Sequence, residues 1–120
     1  MDSPTLAATE AYSAARSSHP RVSLGCMENK IVSAYYFTAG DAVAALGLGT
    51  ARHDDGPLNI LTVCILVMQN GFTVIGKSAP ASPENFDAEK GRRFAYEDAI
   101  KQLWPLEGYL LRSRLADGDA

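Results

Sequence analysis

The spacing of apolar positions changes along the chain, and each change marks an element. Leu24, Met27, Ile31 and Tyr35 recur every three or four residues, with Val32 and Tyr36 widening the stripe. That spacing follows one face of an α-helix. Ser23 stands just before it and can accept a backbone N–H as a cap. The pattern predicts a helix over about 24–37, ending near Thr38-Ala39-Gly40. From Ile60 to Met68 the helical spacing gives way to a continuous apolar run rich in β-branched residues. Asn70-Gly71 follows, a pair suited to a two-residue type I′ turn, and Phe72 to Lys77 returns as a second strand. Such a turn pairs Val67 with Val74 and Leu66 with Ile75. Both faces of the first strand are apolar, and a lone hairpin is marginal with bare edges. The hairpin is therefore expected to self-associate, or to recruit a third strand from the connector or the N-terminal segment.

Beyond the hairpin, Ser82 reads as a helix cap with Pro83 at the first helical position and Glu84 in the first turn. Asn85 capping a helix from Phe86 is the alternative start. Ala88, Gly91, Ala95 and Ala99 form a stripe of small residues that lets a helix over about 83–103 lie close to the sheet. Pro105 breaks it, and a last helix follows over about 105–115. Residues 1–20 are rich in Ala, Ser and Thr and read as a flexible extension, helical over Leu6 to Arg16 when docked. Residues 40–57 are a glycine-punctuated connector with a short helical turn at Val43 to Leu46. The expected organisation is a single α+β domain over 21–115 and a frayed tail over 116–120. Its centre is an antiparallel, hairpin-centred sheet at about 60–77.

Composition narrows the class. The 120 residues make one domain, and 47% hydrophobic with 21% charged residues is ordinary for a globular chain. The formal charge of -3 opposes a dedicated duplex binder. Cys26 and Cys64 read as buried, reduced thiols. His19 and His53 lie far apart and away from any metal-ligand spacing, so neither a metal nor a cofactor is expected. Residues 58–76 carry no charge, but Gln69, Asn70 and Gly71 interrupt them short of the roughly 20 apolar residues a membrane span needs. No signal-peptide pattern stands at the N-terminus. The expected location is the cytoplasm.

Catalysis lacks its parts. His53 sits beside Asp54 and Asp55 without a partnered nucleophile, and Glu97-Asp98 reads as a solvated pair of surface acids. Gly47-Leu48-Gly49 lacks the third glycine and the preceding strand of a nucleotide fingerprint. The segment from Ser82 to Arg93 offers more. A helix start with Ser82 and Asn85 as donors suits a phosphate. Arg92 and Arg93 offer bidentate contact, and Phe72, Phe86 and Tyr96 offer rings for a base to stack on. Those seven residues are the candidate ligand site. Opposed to it, Ser82 and Asn85 simply cap a helix, Glu89 pairs with Arg93, the aromatics are core, and Glu84, Asp87 and Glu89 repel an anion. Arg112 and Arg114 complement the dipole of the last helix. Tyr35 and Tyr36 read as core or interface residues.

Several runs are distinctive together. They are Ser78-Ala79-Pro80-Ala81-Ser82-Pro83-Glu84-Asn85-Phe86-Asp87, Ala99-Ile100, and Trp104-Pro105-Leu106-Glu107-Gly108-Tyr109-Leu110-Leu111-Arg112, with Asn70-Gly71-Phe72-Thr73-Val74 and Tyr36-Phe37-Thr38-Ala39 upstream. Over roughly residues 21 to 115 the chain resembles a family of small tailed-phage and prophage proteins first noticed in coliphage N-four and Shigella phage Sf-six. The resemblance implies a phage gene expressed in a bacterial cytoplasm, and no catalytic residues. By analogy with other small phage proteins, the expected role is counter-defence: an oligomer that binds and sequesters a nucleotide-type immune signal. Two alternatives stand beside it, an inhibitor that binds a host protein and a nucleic-acid accessory protein, the latter disfavoured by charge.

Overall fold

The structure is a computed structural model and describes residues 3–16, 20–48 and 56–118. Its centre is a three-stranded antiparallel sheet in the order β1-β2-β3, with β1 at Ile31–Thr38, β2 at Thr62–Met68 and β3 at Thr73–Ser78. Helix α1 (Pro4–Arg16) and the short α2 (Leu24–Asn29) precede β1. Helix α3 (Ala39–Leu46) and a 3₁₀ turn (Pro57–Ile60) lie between β1 and β2. A second 3₁₀ turn (Pro83–Asn85) leads into the long α4 (Ala88–Ala116). The α+β class and the hairpin agree with the sequence pattern.

The third strand is the segment expected to be helical. The helix capped by Ser23 ends after six residues, and Lys30 turns the chain into β1. Ile31 to Thr38 is dense in β-branched and aromatic residues, which fit a pleated, half-buried surface. Strand β2 is apolar on both sides and its edge needs a partner, so pairing prevails over helical spacing. Neither the connector nor the N-terminal segment supplies this strand. Its register runs from Ile31 opposite Met68 to Thr38 opposite Thr62, with an irregularity between Ile31 and Ser33.

The hairpin register is one residue away from that of a two-residue turn. Leu66 faces Val74 and Cys64 faces Gly76. Gly71 takes a φ of 86°, no non-glycine residue described has positive φ, and the Gly71 N–H donates to the Met68 carbonyl at 2.9 Å. This is a turn of helical hand closed by one left-handed glycine, giving a three-residue loop. The Asn70 side chain accepts from the Phe72 N–H at 2.9 Å. The slip decides the faces: Cys64, Leu66, Met68 and Val74 point into the core, while Ile65 and Ile75 share the opposite face.

Helix α4 covers the core face. The small-residue stripe works as expected. A Cβ on Gly76 would lie 2.0 Å from the Ala95 carbonyl oxygen, and one on Gly91 would lie 2.6 Å from Thr62 Oγ1. Ala95, Ala99, Ile100 and Leu103 are buried against Met27, Leu66 and their neighbours. Two departures concern this helix. Asp87, accepting from the Lys90 N–H at 3.0 Å, is its cap, whereas Ser82 and Asn85 flank only the 3₁₀ turn. Pro105 lies inside one continuous helix of 29 residues, so the two expected C-terminal helices are one. Pro105 is exposed and removes only one backbone donor, so water can satisfy the freed carbonyl.

A helix of 29 residues is about 43 Å long, whereas strands of six to eight residues span roughly 20–27 Å. The last buried residue of α4 is Leu103, so its C-terminal half overhangs the sheet, and the molecule measures 57 × 28 × 18 Å. The outer edge of β3 is partly sealed by α4. Asp98 accepts from the Lys77 N–H at 2.9 Å, and the Gln102 amide donates to the Ile75 carbonyl. The sheet face away from α4 presents Tyr35 and Ile75, both exposed. At the N-terminus, Ser3 is buried and donates to Glu97, Leu6 packs on the core, and Glu10 accepts from the Leu24 N–H and pairs with Arg21. Cys64 is buried and Cys26 exposed, both free, which corrects the expectation of two buried thiols.

Candidate functional site

Two cavities on the described surface take in three of the predicted ligand residues, Phe72 in one and Phe86 with Arg92 in the other. The smaller, of about 220 Å³, lies where the end of β1, the Pro57–Ile60 turn and the first turns of α4 meet. Its walls include Tyr36, Asn59, Thr62, Phe86 and Arg92. Thr38 and Asp41 form its rim, locked in a reciprocal cap of α3: Thr38 Oγ1 accepts from the Asp41 N–H at 3.1 Å, and the Asp41 carboxylate accepts from the Thr38 N–H at 3.3 Å. Asn59 is buried, and Gly40 lets it sit close: a Cβ there would be 2.0 Å from Asn59 Oδ1.

Three groups give this cavity its chemistry. Arg92 is exposed and forms no ion pair among the described residues. Tyr36 projects from the core face of β1, opposite Cys64. Burial holds its phenol well above the usual range, the neighbouring Cys64 thiol adds to this, and the Arg92 charge opposes it. Tyr36 therefore stays a neutral hydroxyl through the physiological range. The buried Thr62 Oγ1 has no hydrogen-bond partner among the described residues, and it sits against the backbone of Gly91. A guanidinium, a neutral phenol and the Phe86 ring around one open cavity can hold a planar, anionic molecule through charge, hydrogen bonding and stacking.

The remaining predicted residues lie elsewhere. Phe72, on the hairpin tip, lines the larger cavity, of about 460 Å³, with Met68, Leu103, Leu106, Tyr109 and Leu110. Tyr96 is a core residue, 2% exposed, whose hydroxyl donates to Glu28. Burial, with that carboxylate beside it, raises its pKa above the ordinary value. Ser82 donates to Glu84 on the Pro83–Asn85 turn, which is too short to present a row of free N–H groups, and Asn85 is exposed on the same turn. Arg93 is half-buried on α4 and lines neither cavity, and no Glu89–Arg93 ion pair forms. Of the seven, only Phe86 and Arg92 come together. Tyr36, Asn59 and Thr62 went unnoticed as lining residues because β1 was expected to be helical. The His53-Asp54-Asp55 run, His19 and Gly49 lie outside the described residues.

Among the described residues no group of three or more His, Cys, Asp or Glu side chains is placed to hold a metal ion, and no helix is long and apolar enough to cross a membrane. The class these features define is a small α+β protein with a cation-bearing surface cavity. The chain matches the model of the phage protein (N4 Gp49/phage Sf6 gene 66) family over residues 22–115 and belongs to that family. The family's description names no catalytic activity. No curated protein and no solved structure matches the chain.

Proposed function

We propose that this phage-family protein is a non-enzymatic counter-defence factor that binds and sequesters a nucleotide-type immune signal as an oligomer. The observation that supports it is the convergence of Arg92, Phe86 and Tyr36 on one open cavity. Arg92 supplies a fixed positive charge for a phosphate, Phe86 a ring for a base, and Tyr36 a neutral hydroxyl for a sugar or phosphate oxygen. The cavity's modest volume takes part of a nucleotide, with the remainder on the adjoining surface. Sequestration needs tight binding and no reactive group, and the residues here are suited to holding a ligand without turning it over.

The test is a thermal-melt screen against cyclic mono-, di- and trinucleotides and cyclic ADP-ribose isomers. A ligand at 100 times its dissociation constant adds about 2.7 kcal/mol, which moves the midpoint of a domain this size by roughly 10 °C. Arg92→Ala abolishes the shift, Arg93→Ala leaves it, and the ligand is recovered intact. A flat panel on folded protein refutes the reading for those compounds. The exposed Tyr35 and Ile75 on the open sheet face favour a second reading, an inhibitor that docks on a host protein. It predicts a host protein co-purifying with the wild type and lost on Ile75→Glu.

A further inference from the structure

We propose that Asn59 is a specificity-determining residue of the Arg92 cavity: its amide reads the donor–acceptor edge of a nucleobase, so the ligand sits base inward and phosphate outward. This rests on the nucleotide reading of that cavity, and the probes used below let the two fail separately.

The main chain places Asn59. It lies on the Pro57–Ile60 turn, where its N–H donates to the Gly56 carbonyl at 3.0 Å. The Ala39 N–H donates to the Leu61 carbonyl at 2.9 Å and ties the end of that turn to the start of α3, beside Gly40. The Asn59 side chain lies over Gly40, in room that any other residue there would fill. A Cβ on Gly40 would be 2.0 Å from Asn59 Oδ1, 3.0 Å from its Cγ and 3.2 Å from its Cα. Asn59 is 8% exposed, yet its side-chain amide makes no hydrogen bond among the described residues. Buried polar groups are seldom left without partners, and an Asn amide has an acceptor and two donors to satisfy. The Thr62 hydroxyl is also unpartnered, but it is sealed in against Gly91. The Asn59 amide is not sealed in this way, and it lines the open cavity with Tyr36, Phe86 and Arg92.

An unpartnered amide selects a class of group. An ionised phosphate only accepts, so it would leave the amide oxygen unmatched. The exposed Arg92 guanidinium is the better partner for it. A nucleobase edge carries a donor and an acceptor side by side, and one Asn amide meets both, as it does on the amino group and adjoining ring nitrogen of adenine. The Phe86 ring supplies a flat surface for the same base to stack on.

Nuclear magnetic resonance titration of the isotope-labelled full chain tests this. The probes are adenosine monophosphate, adenosine and ribose phosphate, read on the side-chain N–H signals of Asn59 and Arg92. The monophosphate and adenosine should shift Asn59, whereas ribose phosphate should shift Arg92 alone. Asn59→Leu should weaken the monophosphate about 10-fold and leave ribose phosphate unchanged. Asn59→Ala, which needs no room beside Gly40, is the second variant and should do the same. Adenosine that shifts Asn59 while ribose phosphate shifts nothing would keep the assignment of Asn59 and refute the anion site. A monophosphate that binds with Asn59 unmoved, an equal loss for monophosphate and ribose phosphate in both variants, or no shift from any probe would overturn it.

Discussion

Gly76→Ala probes the contact that holds sheet and helix together. The added Cβ would sit 2.0 Å from the Ala95 carbonyl oxygen, 2.5 Å from the Ala99 nitrogen and 2.9 Å from the Ala99 Cβ. Carbon–oxygen contacts settle at about 3.3 Å or more, so α4 must withdraw by roughly 1 Å along its central turns. Every atom between Cys64, Leu66 and Val74 on one side and Ala95, Ala99 and Ile100 on the other then loses part of its dispersion energy, because a gap of 0.5–1 Å forfeits about a quarter to a half of each well. The obstacles are backbone atoms of a rigid helix, so no rotamer change relieves them. The expected cost is about 3 kcal/mol, at the upper end for overpacking a core. With an m-value of about 1.5–2 kcal/mol/M, urea unfolding followed by Trp104 fluorescence should show a midpoint lowered by roughly 1.5–2 M. Gly25→Ala in α2 is the control. Nothing lies within 4 Å of its Cβ, so helix propensity should make it neutral or up to about 1 kcal/mol stabilising. A Gly76→Ala protein within about 0.5 kcal/mol of wild type would refute the close approach of α4 to β3.

Three further outcomes are expected. Thr62→Val replaces a buried, unpartnered hydroxyl with a methyl of the same shape and should raise stability by about 1 kcal/mol in urea unfolding; a loss would mean the hydroxyl has a partner after all. The N–H of Lys90 holds the Asp87 carboxyl below its usual pKa. Its charge therefore stabilises the fold above the unfolded value of about 3.9 and ceases to do so as pH falls through the lower folded value. The midpoint difference between wild type and Asp87→Asn should thus be constant near neutral pH and close in acid, and a difference that widened in acid would reverse the assignment. Pro105→Ala restores an N–H and removes a poor helix former at an exposed position. It should raise the urea midpoint, by about 1–2 kcal/mol net of the entropy proline removes from the unfolded chain, whereas a lower midpoint would assign Pro105 a packing role.

What the sequence disclosed follows the strength of local signals. Asn70-Gly71 fixed the hairpin because few pairs tolerate such a turn, yet the same pair serves two-residue and three-residue loops, and the choice moved the register by one. Leu24, Met27, Ile31 and Tyr35 fit a helix by spacing. Only the demand of β2 for a neighbour made Ile31 to Thr38 a strand, and that demand is tertiary. Asp87 was overlooked as a cap because Ser82-Pro83-Glu84 is the stronger local pattern. Arg92 and Phe86 were legible as types that bind anions and rings. Tyr36, Asn59 and Thr62 join them only through the pairing of β1 with β2, which no spacing along the chain encodes.

The two side chains on the rim of β3 make that edge a poorer template for another strand. Asp98 and Gln102 take an N–H and a carbonyl that an incoming strand would need, so only the β1 side remains a template. Two sheets meeting through that side would leave outward only margins on which one N–H and one carbonyl are already taken, which disfavours further strand addition. Val32, Tyr35 and Ile75 are exposed on that sheet, so a free strand edge beside them is where the stacking that produces fibrils would start. Replacing Asp98 and Gln102 together would remove that brake without touching the core.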